Sequence, residues 1–229
     1  MPWAASAGRA NRVTPDVSEA FVRTNAALQA LPLLPEIVLH LAHELLPVWK
    51  MTEAALAAEG VPPPFWAFAW AGGQALARYL LDNPAAVAQR EVVDVATGCG
   101  LVAIAAARAG ARSVLAVDTD PVAVAAARIN AIANRTGVGV ELRDFRRLDP
   151  PGDSVVTVGD CFYERDLARS LLDWLTAARD RGSTVLIGDP GRTYLPRESL
   201  LRLADYRVAV SREIEDGDEK TGSVWRLAP

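Results

Sequence analysis

Asp94 stands four residues before the first of two glycines in the segment Asp94-Val-Ala-Thr-Gly98-Cys-Gly100, directly after a short β-branched run. A strand that runs into a glycine-rich turn and then into a helix leaves backbone N–H groups free to face a ligand. Gly98 and Gly100 also allow the positive φ angles and the close backbone approach that such a turn requires. The segment therefore predicts a cofactor site at the end of a strand.

The glycine pattern alone leaves two cofactors open. Gly98-x-Gly100-x-x-Ala103 matches the dinucleotide fingerprint of NAD-binding domains. A carboxylate at Asp94 would repel a pyrophosphate, whereas it would attract the cationic amino group of S-adenosylmethionine (SAM). Asp94 therefore favours SAM over NAD, although a carboxylate at this position could also do no more than cap the turn.

Two further acids, Asp118 and Asp144, follow predicted strands and could extend the cofactor site. Asp118 ends the second strand, where its carboxylate could accept hydrogen bonds from both ribose hydroxyls. Asp120 precedes Pro121 and is better suited to capping the next helix. Asp144 follows the third strand, where the adenine amino group would lie, or it is a solvated loop acid.

Two other segments could hold the acceptor of a transferred group. Gly159-Asp-Cys-Phe-Tyr-Glu164 follows the fourth predicted strand, and ligands of open α/β sheets bind beyond the carboxyl ends of the strands. The segment 64–74 concentrates aromatic side chains before the sheet. We interpret Phe65 and Phe68 as core residues, and Trp66, Trp70 and Gln74 as the lining of a channel for cofactor and acceptor.

From residue 91 onward, β-branched runs alternate with stretches of helical period, which is typical of βαβ units around a parallel sheet. The pattern predicts strands over 91–95, 113–117, 138–142, 154–158 and 184–187, and helices over 101–109, 121–134, 165–179 and 197–203. Two last strands, 206–214 and 221–227, would form an antiparallel hairpin. This order of strands is that of class I methyltransferases, a Rossmann-like α/β fold with a seven-stranded sheet.

The residues before the sheet indicate a separate extension. Helical patterns over 18–28, 34–58 and 74–81 are interrupted by prolines, with a rigid break at 62–64. We expect a helical N-terminal extension or cap over 1–64 and a methyltransferase domain over 65–229. His40 and His43 would lie on one helix, and with no third ligand in sight we expect no metal site.

Composition narrows the classes of partner. Lys and Arg number 24 against 28 Asp and Glu, and this net charge of −4 disfavours nucleic acid as a partner. Two cysteines, Cys99 and Cys161, are too few for a disulfide framework and fit a reducing compartment. Neither a signal peptide nor a membrane span is indicated, so we expect a cytoplasmic protein.

Taken together, these motifs resemble the electron-transfer-flavoprotein β-subunit lysine methyltransferases, a branch of the seven-strand protein lysine methyltransferases. The resemblance spans residues 18–227, and its blocks are 21–25, 65–83, 94–100, 159–163 and 185–192. It implies SAM as cofactor and the β-subunit of electron transfer flavoprotein as the protein substrate. Asp160 and Tyr163 would form the family's Asp-x-x-Tyr motif near the target lysine. Ala96 and Ala71 depart from the family's usual Gly and Pro.

Such a reaction needs a neutral lysine amine. With an ordinary pKa near 10.4, the neutral form at pH 7.4 costs roughly 4 kcal/mol. Apolar surroundings such as Phe162 and Trp66 favour the neutral amine, whereas the Asp160 carboxylate stabilises the ammonium. We therefore expect Asp160 to bind and orient the amine, with proton loss to water.

Alternatives remain open at this point. The same scaffold could methylate a small amine, the glycine pattern could serve an NAD-dependent oxidoreductase, and the chain could be a non-catalytic SAM-binding module. The segment 188–192 is either a tight turn after the fifth strand or a wall of the acceptor site, with Asp189 or Arg192 touching the protein substrate.

Overall fold

A computed structural model describes residues 15–42, 63–210 and 217–229. The strands are β1 (Ala27–Leu31), β2 (Leu34–Leu41), β3 (Glu91–Val95), β4 (Ser113–Asp118), β5 (Val138–Leu142), β6 (Val155–Gly159), β7 (Thr184–Asp189), β8 (Leu200–Ala209) and β9 (Glu219–Leu227). The α-helices are α1 (Pro15–Asn25), α2 (Ala71–Asp82), α3 (Leu101–Arg108), α4 (Pro121–Ala133) and α5 (Arg165–Asp180). No helix in these ranges is long and apolar enough to cross a membrane.

A seven-stranded sheet in the order β5-β4-β3-β6-β7-β9-β8 forms the centre of the molecule. The strands β3 to β7 pair in parallel, and β9 runs antiparallel to both β7 and β8. Along β3 the side chains alternate, so that Val92 packs under α2, α3 and α4 while Val93 and Val95 pack under α5. The predicted α/β sheet with a C-terminal hairpin is confirmed.

The predicted helix over 197–203 is wrong. Only Arg197–Ser199 forms a single 3₁₀ turn, and β8 then begins at Leu200 and pairs with β9. Leucine and arginine are good helix formers, which explains the prediction. Pairing with β9 overrides this propensity and leaves Leu201 and Leu203 exposed on the outer face of the sheet.

The helix predicted over 34–58 is also wrong where the structure describes it. Residues 34–41 form β2, which pairs with β1 in an antiparallel hairpin, and residues 43–58 lie outside the described ranges. Ile37, Leu39 and Leu41 are buried at every second position, which is a strand period. His40 therefore lies on a strand, and its backbone N–H donates to Asn130 Oδ1 of α4 at 2.7 Å.

The first turn of α2 lies unusually close to the sheet because glycines face each other there. A Cβ on Gly72 would overlap the carbonyl oxygen of Gly188 on β7, and a Cβ on Gly188 would overlap that of Gly72. A Cβ on Gly222 of β9 would lie 2.6 Å from Ala75 Cβ, and a Cβ on Gly159 of β6 would lie 3.0 Å from Gly73 Cα. Backbone therefore packs directly on backbone at the carboxyl ends of β6 and β7.

This contact predicts that alanine substitutions at two adjacent glycines have different effects on stability. Gly72→Ala should lower the free energy of unfolding by at least about 1–3 kcal/mol, because the methyl group would overlap the Gly188 carbonyl and the Asp160 carboxylate, which is itself held by hydrogen bonds. Gly73→Ala is the matched control, since its nearest neighbour would be Val102 Cγ2 at an ordinary 4.0 Å. It should leave stability unchanged or raise it by up to about 1 kcal/mol through helix propensity. Urea unfolding followed by circular dichroism measures both, and equal effects would contradict the packing described.

Candidate active site

A cavity of about 570 Å³ opens beyond the carboxyl ends of β3, β4 and β6. Its volume suits a ligand of nucleoside size. The structure brings a large part of the predicted site residues together on its wall, namely Trp66, Trp70, Gly98, Asp118, Asp144, Asp160 and Tyr163. The cavity therefore joins the predicted cofactor and acceptor segments in one space.

The two glycines of the turn after β3 have different surroundings. Gly98 has φ +55° and lines the cavity, and a Cβ there would meet no atom within 4 Å. Gly100 has φ +83° and precedes α3, where a Cβ would meet Ala127 Cβ at 3.0 Å. Gly100 therefore lets α3 approach α4 and does not line the cavity, and its predicted contact with the cofactor stays a prediction. Ala96 also has a positive φ, +52°, which accounts for the family's preference for glycine there.

Asp94 lies beneath the turn and is not part of the cavity wall. Thr157 Oγ1 donates to one of its carboxylate oxygens at 2.7 Å and Thr97 Oγ1 to the other at 2.6 Å. Burial raises the pKa of Asp94 to about 6. Both oxygens tie β3, β6 and the turn together, and the predicted attraction of a cofactor amino group to this carboxylate stays a prediction.

Asp118 and Asp120 form the acidic side of the cavity. Gly98 N–H donates to Asp118 Oδ2 at 2.9 Å and Asp120 N–H donates to Asp118 Oδ1 at 3.0 Å. Each of these oxygens keeps a second lone pair for a ligand hydroxyl. Asp120 accepts from Val122 N–H at 2.8 Å, so its predicted role as the N-cap of α4 is confirmed. Burial, together with the charge of Asp118, raises the pKa of Asp120 to about 6.

Asp144 lies across the cavity and is paired with Arg146. The guanidinium donates to both carboxylate oxygens, at 2.9 Å from Nε to Oδ1 and 2.7 Å from Nη2 to Oδ2. This pairing lowers the pKa of Asp144. An adenine amino group at this place would meet the Asp144 carboxylate already paired with the Arg146 guanidinium.

Asp160 marks the other end of the cavity. Its φ of +56° turns the chain sharply after β6. Gly73 N–H of α2 donates to Oδ2 at 2.9 Å, and Arg192 donates to Oδ1 at 2.9 Å from Nη2 and 3.2 Å from Nε. Burial raises the pKa of Asp160 to about 7, with the Arg192 charge acting in the opposite direction.

An aromatic rim surrounds this end of the cavity. The ring centroid of Phe65 lies 5.9 Å from that of Trp70 and 5.6 Å from that of Tyr163. Phe65 is 40% exposed, so the prediction that it belongs to the core is wrong, whereas Phe68 is buried as predicted. Arg192 Cζ lies 5.4 Å from the centroid of Trp70. Burial raises the pKa of Tyr163 to about 12, so its hydroxyl stays a donor.

Three other predicted site residues are buried and do not line the cavity. Gln74 Nε2 donates to the Ala69 carbonyl at 2.6 Å and fixes the entry to α2. Phe162 is fully buried in the core under α5, since the turn at Asp160 directs it inward. Asp189 is fully buried, and its Oδ1 accepts from the N–H groups of Gly191 and Arg192.

Arg192 is the main site residue whose role the sequence left undecided. It stands in the block 185–192, yet its partner Asp160 is 32 residues away. Asp189 holds the turn that presents it, while Phe65 and Arg146 complete the wall. The Asp-Pro-Gly-Arg spacing after a strand was a signal for the turn, but not for the ion pair.

The pKa of Asp120 leads to a pH-dependent prediction. As pH rises from about 4 to 6, the unfolded chain loses this proton while the native carboxyl keeps it, so the wild type loses stability. Asp120→Asn keeps the cap without a charge, and it should raise the free energy of unfolding by about 1–2 kcal/mol at pH 7.5, a gain that shrinks toward pH 4.

Asp144→Asn is the matched control, because Arg146 lowers the pKa of Asp144. Relative to wild type, that variant should be less stable at pH 7.5, and this difference in the free energy of unfolding should shrink toward pH 3. Urea unfolding at a series of pH values measures both. A difference between Asp120→Asn and wild type that did not vary with pH would contradict the environment described for Asp120.

Comparisons with known proteins agree with this architecture. A family model described as ribosomal protein L11 methyltransferase (PrmA) matches residues 75–156. A crystal structure of a candidate RNA methyltransferase from Pyrococcus horikoshii has a TM-score of 0.54 and is 12% identical, with coverage of 93% of this chain and 97% of that chain. The predicted class I methyltransferase fold is confirmed.

Sequence relatives identify the branch. The electron transfer flavoprotein beta subunit lysine methyltransferase of Xenopus laevis is 37% identical over 224 residues, which are 95% of this chain and 90% of that protein. The Homo sapiens protein of the same name is 40% identical over 172 residues, which are 72% of this chain and 66% of that protein. The chain belongs to the electron transfer flavoprotein beta subunit lysine methyltransferase family.

Proposed function

We propose that this chain transfers a methyl group from SAM to a lysine of the beta subunit of electron transfer flavoprotein. Membership of the family makes the chain a SAM-dependent methyltransferase, and the relatives carry this acceptor in their names. The observation that carries the proposal is the single cavity that reaches from Asp118 to Asp160. It would place a nucleoside and an acceptor amine side by side.

The residues at the Asp118 end fit the cofactor. The open space above Gly98 lets a ligand lie directly on the backbone turn, and the free lone pairs of Asp118 suit two ribose hydroxyls. When bound, SAM supplies an electrophilic methyl group on a sulfonium sulfur. Because Asp94 is buried and holds two threonine hydroxyls, the choice of SAM over NAD rests on the family and not on the charge of Asp94.

The Asp160 end suits a lysine side chain. The aromatic rim of Phe65, Trp70 and Tyr163 would remove water from the amine, and this desolvation favours the neutral nucleophile. Asp160 would accept one N–H bond and so aim the nitrogen lone pair toward the cofactor end. Alignment of the amine with the methyl group would then supply most of the rate enhancement.

A surface groove beside this end supports a protein acceptor over a small amine. It has a volume of about 590 Å³ and shares Tyr163 and Arg192 with the cofactor cavity. Its other walls come from the turn after β7 and from the start of β9. A lysine of a protein acceptor could enter past Tyr163 while the residues next to that lysine bind in the groove. A small amine would leave the groove empty.

The test is transfer of labelled methyl from SAM to purified electron transfer flavoprotein, located by mass spectrometry. We expect a labelled lysine on the beta subunit. Asp160→Asn should lower the transfer rate on the order of a hundredfold with SAM affinity unchanged, because the amide keeps only one accepting oxygen to serve Gly73, Arg192 and the amine. Asp118→Ala should weaken SAM binding by about tenfold or more, since hydrogen bonds to a charged acceptor are lost.

Asp180→Asn serves as the control, because Asp180 is exposed and pairs only with its neighbour Arg179 in the described part of the chain. It should transfer at the wild-type rate. SAM binding without any labelling of the flavoprotein would reject this acceptor and favour another protein or a small amine.

A further inference from the structure

The Asp160 carboxylate is paired with a cation before any substrate enters. Arg192 Nη2 lies 2.9 Å and Nε 3.2 Å from Oδ1, while the N–H of Gly73 takes Oδ2. The pair is well shielded, since 7% of the Asp160 side chain and 22% of the Arg192 side chain are exposed. The two residues stand at the acceptor end of the cavity, and Arg192 also borders the surface groove.

Asp189, Trp70 and Asp160 together hold Arg192 in this position. Its own N–H donates to the buried Asp189 at 2.6 Å, which fixes the turn after β7. The guanidinium lies over Trp70, with 5.4 Å between Cζ and the ring centroid. Such an arginine, held by a carboxylate and an aromatic face, has lost much of its freedom to swing into solvent.

A bare carboxylate at Asp160 would oppose the reaction. An anion within about 4–6 Å of an amine stabilises the ammonium form, which has no lone pair to attack a methyl group, and raises its pKa by roughly 1–3 units. The carboxylate would then bind the lysine tightly in its unreactive form. A neutral ion pair can still accept an N–H bond but exerts a much smaller net field on the amine.

We propose that Arg192 is a positioning residue that neutralises Asp160, so that the incoming lysine meets a neutral ion pair and reacts as the free amine. This inference rests on the proposed lysine methylation. Arg192 does not contact the reacting atoms in this account. It acts through Asp160, which keeps its hydrogen-bonding capacity without its full charge.

The neighbouring acid Asp189 raises the pKa of Asp160, whereas the Arg192 charge lowers it, so Arg192 is what favours the ionised, paired form of Asp160. Within the described residues, the titratable or charged groups that act on Asp160 or on its neighbours Cys161, Tyr163 and Asp189 are Asp94, Asp118, Asp160 itself, Glu164, Asp189, Cys161, Arg192 and Arg197. Most of them are acids. Arg192 is the cation in contact with the Asp160 carboxylate, and Arg197 acts on Asp189, one strand away.

The test is the pH dependence of methyl transfer at saturating SAM, from pH 6.5 to 10, for four proteins. Arg192→Gln should move the midpoint of the rising limb upward by about one unit or more. Its rate at pH 7.5 should fall ten- to a hundredfold and recover at high pH, while KM for the acceptor stays equal or falls. Arg192→Lys keeps the positive charge and should keep the wild-type midpoint.

The double variant Arg192→Gln/Asp160→Asn separates charge from structure. With no carboxylate left to neutralise, its midpoint should return to the wild-type pH even though its maximal rate is low. A rate lowered by the same factor at every pH in Arg192→Gln would assign Arg192 a merely structural role. A rate raised at pH 7.5 would show that Arg192 blocks the site. Either result overturns the proposal.

A binding experiment tests the same inference without a protein acceptor. Calorimetry at pH 9, well above the pKa of about 7 to which burial raises Asp160, uses n-butylammonium as a mimic of the lysine side chain. It compares wild type and Arg192→Gln, each saturated with S-adenosylhomocysteine. We expect at least tenfold tighter binding to the variant, whose carboxylate is unpaired. Equal affinity would overturn the proposal even if the wild type labels the flavoprotein. Failure of the wild type to label it, with the tenfold difference present, would reject the acceptor and keep the role of Arg192.

Discussion

Backbone contact between α2 and β7, through Gly72 and Gly188, is the constraint on which the Asp160 end of the cavity depends. Because no side chain separates them, the first turn of α2 lies directly over the carboxyl ends of β6 and β7. This brings the Gly73 N–H within 2.9 Å of Asp160 and sets Trp70, the residue before the helix, beside Arg192. A carboxylate at a helix N-terminus is also stabilised by the helix dipole. Gly72 and Gly188 therefore position the residues around Asp160 as well as packing the core.

At the Asp118 end of the cavity, buried carboxylates instead hold the backbone in place. Asp94 fixes the turn from below through two threonine hydroxyls, and Asp118 fixes it from the side by accepting the Gly98 N–H. Burial raises the pKa of Asp94 to about 6 and also raises that of Asp118. The site tolerates these acids because each is hydrogen-bonded within the fold. A ligand then meets a rigid surface whose hydrogen-bonding groups already point toward it.

The sequence predicted the alternating strands and helices of the parallel sheet, but it predicted helices where β2 and the start of β8 lie. The buried strands β3, β4 and β7 are β-branched runs, whereas β8 and β2 are rich in leucine, and only pairing with a neighbour makes them strands. Site residues on motif positions were predicted, such as Asp118 and Asp160. Side-chain direction was not: the positive φ of Asp160 sends Phe162 into the core, and Arg192 meets Asp160 only because β6 and β7 are neighbours.

We propose that one cavity holds both the cofactor, at Asp118, and the acceptor, at Asp160. A crystal structure of the protein with S-adenosylhomocysteine and a lysine-containing acceptor peptide tests it most directly. We expect the ribose hydroxyls within hydrogen-bonding distance of the Asp118 carboxylate, and the lysine nitrogen beside the Asp160–Arg192 pair with the sulfur facing it. A nucleoside bound away from Asp118, or a lysine that approaches the sulfur from a side remote from Asp160, would contradict the account.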